Sequence, residues 1–230
     1  HTFSFDNFKI LLSESVYRNI AIRSLLVALS VTLIDALLAI PIAFYIAKVM
    51  KPRFRNVVIT LAIAPLWASY LVKTYSWRSM FSNGGVLDWI LKLFGLHTPG
   101  FGVIATTFTL AYLWLPYMIL PLFAGMERLP NNLLDASGDL GAGNWYTFRK
   151  VIFPLIFPSL VAGSMFTFSL SLGDYITTQI IGGKLQMLGS VVYQNFSINL
   201  PFAATISFIP VTIMGIYLYL VRRTGALENM

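Results

Sequence analysis

The chain has 230 residues, of which 57% are hydrophobic and only 11% are charged, and its formal net charge is +7. A water-soluble domain of this length carries far more charge, so the composition predicts a multi-span membrane protein. The absence of cysteine excludes disulfides and thiolate chemistry. No solvated basic stretch with interleaved aromatic residues is present, so we predict no nucleic-acid binding.

Five apolar segments are long enough to cross a bilayer as helices, which takes about 20 apolar residues each. The sequence therefore predicts an all-α, polytopic membrane helix bundle. The predicted spans are residues 20–47, 56–73 (with Pro65 in its middle), 101–125, 153–176 and 202–221. Between the second and third spans, VLDWILKLFGL is too short to cross and predicts an interfacial helix. Residues 184–201 are predicted to be an external loop.

The distribution of lysine and arginine sets the orientation of these spans. The segments predicted to lie inside (48–55, 126–150 and 222–230) hold nine Lys/Arg in 42 residues, against seven in 70 for the outer ones. The positive-inside rule therefore places the C-terminus in the cytoplasm. Residues 1–19 lack the pattern of a signal peptide. We expect a further span before residue 1, which gives six spans in the complete protein.

The passage from residue 131 to 159 is polar to amphipathic and joins two spans on the predicted inner side. Its helical face is only weakly apolar: Leu133, Ala136, Ser137 and Leu140 recur at helical spacing. We predict that Asn131 or Asn132 caps this short helix. Gly141 and Gly143 are predicted to end it, and Asn144 to cap a second helix.

The same residues resemble the cytoplasmic loop of ABC-importer permeases, in which Glu-Ala-Ala is followed at fixed spacing by Gly and by Ile-x-Leu-Pro. Here Asp135-Ala136-Ser137, Gly141 and the run 151–154 stand in register. The resemblance implies a type I ABC importer permease fold over residues 1–230, with a coupling loop at about 126–153. Apolar side chains would dock into an ATPase groove, an acidic one would pair there, and Gly141 would permit the turn. The candidate coupling residues are Leu133, Leu134, Asp135, Ala136, Ser137, Leu140, Gly141 and Pro154.

Further along, the chain is similar to the spermidine/putrescine branch of these permeases. That branch has a Pro-x-Trp-x-Ser-x-Leu-x-Arg-x-Tyr segment, and here the segment runs from Pro65 to Tyr75 with Lys73 in place of Arg. The resemblance implies a bacterial inner-membrane location and three kinds of partner: a second, distinct permease subunit, two ATP-binding subunits and an extracytoplasmic solute-binding protein. It implies no cofactor in this chain, because ATP and Mg belong to the ATPases.

Two acidic residues lie inside the apolar spans, and four aromatic residues cluster near the outer end of the second one. An intramembrane carboxyl usually faces a partner or a water-filled path, so Asp35 and Asp174 are either substrate-path residues or members of interhelical bonds. Aromatic rings at this depth suit a membrane-interface belt or cation–π contact with a cationic solute. The candidate path residues are Asp174, Asp35, Trp67, Tyr70 and Tyr75.

The chain contains no G-x-x-x-x-G-K-[ST] motif, no catalytic constellation and no metal-ligand spacing. We therefore predict a non-catalytic permease subunit of an ABC importer, which moves a small cationic solute by alternating access while partner ATPases hydrolyse ATP. A polyamine is the predicted solute. The alternatives are the same importer class for an amino acid derivative or a thiamine-like cation, and an ATP-independent transporter or channel.

Overall fold

The computed structural model describes residues 6–223. Within this range every regular secondary-structure element is a helix, and turns or irregular segments connect the helices. Residues 1–5 and 224–230, which include parts of the predicted outer start and of the predicted cytoplasmic end, lie outside the described residues. Six elements make up the first half. They are α1 (Asp6–Ser13), α2 (Ser15–Phe44, continued by a π turn at Tyr45–Val49), α3 (Pro52–Ile63, continued by a 3-10 turn at Ala64–Trp67), α4 (Tyr70–Phe81), α5 (Val86–Lys92) and α6 (Val103–Glu127).

The second half begins with two short helices and ends with the longest helix of that half. Its elements are α7 (Asn131–Asp139), α8 (Asn144–Thr147, continued by a π turn at Phe148–Ile152), α9 (Phe153–Leu172), α10 (Ile176–Ile181), α11 (Leu188–Phe196) and α12 (Leu200–Arg223). The predicted all-α class is confirmed. The interfacial helix predicted from VLDWILKLFGL corresponds to α5. The segment predicted as the external loop 184–201 instead contains α11, whose apolar face packs against α12.

Four continuous helical stretches are long and apolar enough to cross a membrane, and a fifth candidate span is broken. The continuous ones are Ser15–Val49, Val103–Glu127, Asn144–Leu172 and Leu200–Arg223. The third of these starts well before Pro154, the residue at which the sequence suggested that the fourth predicted span begins. Pro154 removes one backbone donor inside this stretch, and membrane helices accommodate such a proline through local π adjustments like the one at Phe148–Ile152. Here α8 and the π turn bring the chain into α9 without interruption.

The second predicted span, residues 56–73, is not one straight helix. The chain bends by 90° between Pro52–Trp67 and the helices that begin at Tyr70. Pro65 removes a backbone donor and the 3-10 turn ends at Trp67, so carbonyl groups at the bend lack helical partners. The Pro65 carbonyl accepts the Ala68 N–H at 3.3 Å and, in addition, a hydrogen bond of 3.0 Å from the Lys73 Nζ atom. The bend is therefore stabilised by a side chain from the following helix.

The core of the bundle is formed where α2, α6 and α9 pack together. Small residues on α2, including Ala39 and Ala43, lie against Met118 and Leu122 of α6, and Ile156 of α9 completes this cluster. Two glycines bring α6 and α9 close. A Cβ on Gly163 would lie 2.6 Å from the Met118 Sδ atom, and one on Gly125 would lie 2.1 Å from the Ser159 Oγ atom. Small residues at such crossings are typical of membrane helix pairs, in which close packing replaces the hydrophobic effect.

Candidate functional site

Asp174 follows the last residue of α9 by two positions, in the turn that leads to α10, and its side chain is held by polar neighbours. Its Oδ1 atom accepts the Thr177 backbone N–H at 2.9 Å. Its Oδ2 atom accepts a hydrogen bond from the Tyr70 hydroxyl and a longer one, 3.4 Å, from the Thr177 hydroxyl. The Tyr70 Oη and Thr177 Oγ1 atoms are themselves 2.6 Å apart. Tyr70 begins α4, so this cluster joins the outer half of the broken span to the turn after α9.

The Asp174 carboxyl has hydrogen-bond donors but no cation. Among residues 6–223, no lysine or arginine forms an ion pair with it, although the side chain is only 8% exposed. A carboxylate inside a membrane protein is costly unless its charge is balanced. The hydrogen bonds from Tyr70 and Thr177 lower this cost without cancelling the negative charge. The arrangement is thus able to receive a positive group.

A cavity of about 300 Å³ adjoins this carboxyl. Its walls are mostly apolar and aromatic. They comprise Tyr70, Trp114, Ser169, Leu170, Gly173, Asp174, Tyr175 and Ile176. The Tyr70 ring stacks on Trp114 of α6 with centroids 5.7 Å apart. The ring centroids of Trp114 and Tyr117 are 5.9 Å apart, and those of Tyr117 and Phe166 of α9 are 6.3 Å apart. A continuous row of rings therefore leads away from Asp174 along α6.

The helix α11 packs directly against the backbone of the Asp174 turn at Gly189. A Cβ built at Gly189 would lie 2.6 Å from the Gly173 carbonyl oxygen and 2.7 Å from that of Asp174. We therefore expect Gly189→Ala to push α11 and the turn apart. Its cost is about 1–3 kcal/mol, the usual range for overpacking, together with reduced transport. Thermal unfolding of the purified complex and uptake assays measure the two effects.

Gly215→Ala in α12 is the matched control for that variant. A Cβ at Gly215 meets no atom within 4 Å, and alanine is favoured over glycine inside a helix by about 1 kcal/mol. We expect this control to keep or raise the unfolding temperature. Equal unfolding temperatures for Gly189→Ala and Gly215→Ala would contradict the close packing of α11 on the Asp174 turn.

The other three candidate path residues do not join this cluster. Asp35 is fully buried in α2, and neither of its carboxyl oxygens has a hydrogen-bond partner among the described residues. Trp67 lies at the bend of the broken span and is 80% exposed, and Tyr75 lies on an exposed part of α4. The structure thus brings together two of the five candidates, Tyr70 and Asp174.

Two members of the cluster, Trp114 and Thr177, were not predicted from the sequence. Trp114 lies in the middle of α6, away from both ends, where an interfacial belt does not account for a tryptophan. This central position is the sequence feature from which a role for Trp114 inside the bundle could have been predicted. Thr177 occurs three residues after Asp174, a spacing at which an aspartate often accepts the backbone N–H of a starting helix. Neither signal specifies the contact with Tyr70, which requires the fold.

The predicted coupling loop contains a short helix and a glycine turn, as its sequence suggested. Gly141 has φ +75°, a value that favours glycine, and its N–H donates to the Gly138 carbonyl at 2.8 Å. The N–H of Ala142 donates to the Ser137 carbonyl at 3.1 Å. These two bonds satisfy carbonyls at the end of α7. The Ser137 and Thr147 hydroxyls, 2.8 Å apart, link α7 to α8.

The predicted asparagine caps are wrong. The residue before α7 is Pro130 and the residue before α8 is Gly143, and neither helix has a side-chain cap. Asn131 and Asn144 are instead the first residues of these helices. The Asn131 amide oxygen accepts a hydrogen bond from Lys48, 83 residues earlier. This tertiary contact replaces the local capping bond that the sequence favours.

The outer face of α7 carries exposed apolar side chains. Leu140 is 88% exposed and Leu133 is 42% exposed, and the neighbouring Trp145 and Tyr146 are also exposed. Leu133, Leu140 and Tyr146 line a groove of about 750 Å³ between α7 and the start of α8. Leu134 points the other way and packs against the core of its own bundle. Exposed apolar groups clustered in this way are typical of a protein interaction surface.

A family model described as "Binding-protein-dependent transport system inner membrane component" matches residues 18–225. The chain belongs to this family. Among curated proteins, the permease is 38% identical to the inner membrane ABC transporter permease protein YdcU of Escherichia coli, over 97% of this chain and 77% of that protein. It is 32% identical to the spermidine/putrescine transport system permease protein PotB of the same organism, over 99% of this chain and 84% of that one.

Solved structures agree on the fold. The permease matches a bacterial alginate ABC transporter in complex with alginate pentasaccharide-bound periplasmic protein with a TM-score of 0.72 at 15% identity, over 99% of this chain and 84% of that chain. It matches the inward-facing MetNI methionine ABC transporter with a TM-score of 0.68 at 15% identity, over 99% of this chain and 100% of that chain. The permease therefore has the ABC importer permease fold predicted from the sequence.

The permease is thus a multi-pass protein of the inner membrane and the non-catalytic membrane component of an ABC importer. Such an importer includes ATPase subunits and a solute-binding protein. Within residues 6–223 no group of three or more His, Cys, Asp or Glu side chains has the arrangement to hold a metal ion.

Proposed function

We propose that this permease carries a polyamine-type cation and that the solute passes the Asp174 cluster. The observation that carries the proposal is a carboxyl with hydrogen-bond donors but no cation, facing a cavity with aromatic walls. A linear polyamine combines ammonium groups with methylene segments. The carboxylate attracts the ammonium groups. The ring faces of Tyr70 and Trp114 suit the ammonium groups through cation–π contact and the methylene segments through apolar contact.

The relatives support the same class of solute. PotB proteins from Haemophilus influenzae and from Escherichia coli, whose names state spermidine/putrescine transport, are 30% and 32% identical to this chain. Identity at this level fits a shared solute class but does not select one molecule within it. An amino acid derivative carries a carboxylate that Asp174 would repel, and this favours a cation without acidic groups.

We further propose that α7 is the element through which the ATPase drives the permease. The exposed Leu133 of α7 and Leu140, which directly follows this helix, would enter a groove of the ATPase, and Ala136 lines the same side. Asp135 is exposed beside them and would pair with a basic residue of the groove or with the helix N-terminus. Motion of α7 would move the packed helices α2, α6 and α9 as a rigid body, which is the usual way to alternate access. The second permease of the complex is proposed to be a distinct chain.

The test uses proteoliposomes that hold the complete importer, with the binding protein outside and ATP inside. We expect uptake of radiolabelled spermidine or putrescine that requires ATP and is competed by the unlabelled polyamine. ATP hydrolysis that is stimulated by the binding protein without polyamine uptake would reject the proposed solute class but not the assignment as an ABC importer. Competition by thiamine or by a cationic amino acid, but not by polyamines, would name the alternative. Uptake that is indifferent to ATP would reject coupling.

A further inference from the structure

Lys48 reaches from the inner end of the first span to the connection between α6 and α7. Its Nζ atom donates to the Leu129 carbonyl at 2.6 Å and to the Asn131 side-chain oxygen at 3.0 Å. Leu129 follows the end of α6, and Asn131 is the first residue of α7. One ammonium group therefore bonds both ends of the short connection from which α7 projects.

The position of Lys48 depends on a π turn. In this turn, at Tyr45–Val49, the Met50 N–H donates to the Tyr45 carbonyl at 2.9 Å, one residue further back than in an α-helix. The extra residue changes which side chains of the last turn face the bundle. Ile46 and Ala47 are buried, and Lys48, the next residue, is directed across to the α6–α7 connection.

A second π turn, at Phe148–Ile152, lies on the other side of α7. Ile152 belongs to the same core cluster as Ala47, Met126 and Leu129. The base of α7 thus rests on one packed cluster between two π turns. Apolar packing alone permits sliding, because it has no directional preference. The two hydrogen bonds from Lys48 fix both the distance and the direction of α7 relative to α2.

Among the described residues, the neighbouring basic residues make no bond to the α6–α7 connection, and Arg55 donates only locally, to the Met50 carbonyl at 3.1 Å. Lys51 is exposed, and the guanidinium of Arg53 lies over its neighbour Phe54 at 4.6 Å from the ring centroid. The positive-inside rule accounts for both, since it requires only charge near the inner surface. It does not account for a lysine that bonds a carbonyl and an amide 81 and 83 residues away.

We infer that Lys48 is a positioning residue that joins α7 to the first span, so that displacement of α7 is passed to α2. This inference rests on the proposed docking of α7 on an ATPase. Without the lysine, α7 still has its exposed apolar face and its glycine turn, so docking and hydrolysis continue. The movement is then taken up at the α6–α7 connection and reaches α2 only in part.

The experiment measures solute transported per ATP hydrolysed in the reconstituted complete importer. We expect Lys48→Met to assemble with its partners, to keep ATP hydrolysis within about twofold, and to transport about tenfold less, since bonds from a charged donor are the strong ones. Lys48→Arg, which keeps the charge and donors, should restore most of the ratio. Lys51→Met removes a neighbouring charge without a bond and should leave the ratio unchanged.

A cross-link distinguishes positioning from a general loss of fold. The chain contains no cysteine, so Lys48→Cys combined with Asn131→Cys gives one defined pair when the partner subunits are cysteine-free. We expect the double variant to be uncoupled, and a bis-maleimide about as long as a lysine side chain to restore transport per ATP. Failure of the verified cross-link to restore it would overturn the inference.

Two other outcomes are equally decisive. An unchanged ratio of transport to hydrolysis in both Lys48→Met and Asn131→Ala would also overturn the role of Lys48. If Lys48→Met fails to assemble, Asn131→Ala and the cross-linked pair decide, because Asn131→Ala retains the lysine and the cross-link replaces its connection. In the importer with Lys48 unchanged, absence of both ATP hydrolysis and α7–ATPase cross-linking would instead reject the proposed docking. This outcome is separable from failure of the inference.

Discussion

Gly141→Pro is expected to abolish ATP-dependent uptake while the protein still inserts into the membrane. Proline fixes φ near −65°, whereas Gly141 has φ +75°. Proline also removes the N–H that donates to the Gly138 carbonyl. The turn after α7 must then open, and the exposed face with Leu133 and Leu140 changes direction. Uptake and binding-protein-stimulated hydrolysis, measured on matched amounts of membrane protein, test this.

Gly143→Pro provides the matched control two residues later. Gly143 has φ −69°, which is already a proline value, and a Cβ there meets no atom within 4 Å. We expect the control to keep most of the uptake. Normal uptake in Gly141→Pro would remove the case for α7 as the coupling element. Equal loss in both variants would show that the loop tolerates no proline and would leave the turn geometry without a special role.

Asp174→Asn is expected to reduce polyamine uptake about 10- to 100-fold. The substitution keeps the shape of the side chain and can keep the bond from the Thr177 N–H, but it removes the negative charge. Interactions with a charged group contribute about 1.5–3 kcal/mol, and each 1.4 kcal/mol is a factor of ten. The loss should appear in transport at every concentration of the loaded binding protein, with assembly of the ATPase complex unchanged.

Asp139→Asn is the charge-matched control for that variant. Asp139 ends α7, is exposed, and is remote in sequence from the Asp174 turn. We expect it to leave uptake nearly unchanged. If Asp174→Asn transports normally, or if it loses ATPase assembly instead of transport, the carboxyl does not serve the path. Thr177→Val, which removes one donor and leaves the charge, should give an intermediate loss.

Much of the architecture follows from composition and periodicity, since a bilayer forces apolar helices of a definite length. The approximate location of each of the five candidate spans could be predicted from apolar runs alone, although the fourth begins earlier than predicted and the second is broken. The 90° bend after Trp67 could not, because Pro65 indicates an interruption but not its angle. The angle depends on Lys73 and on the packing of α4. The helix α11 was missed because glycines and a polar stretch flank a short apolar run that is stable only against α12.

The candidate sites were predictable to different extents. The spacing of the loop motif predicts both α7 and the turn at Gly141, because both depend on local geometry. Asp174 was predicted because it is an acidic residue inside an apolar span, and Tyr70 because it belongs to the aromatic residues near the outer end of the second span. Their contact joins residues 104 positions apart, and no local pattern encodes it. The bond from Lys48 to Asn131 is of the same kind, and the π turn that aims it has no sequence signature.

The bend in the second span bears on how the membrane stays sealed during transport. The inner half, α3, packs beside the π turn of α2, whereas the outer half, α4, packs against α10 and carries Tyr70 to Asp174. Two helices at 90° do not transmit an axial push, so a shift of the inner half would reach the outer half only through the Lys73–Pro65 bond and through α6, on which both halves pack. An importer that opened at both ends would leak ions and dissipate the membrane potential. A span divided in this way would let the outer half keep its contact with Asp174 while the inner half moves, which is what such a seal requires.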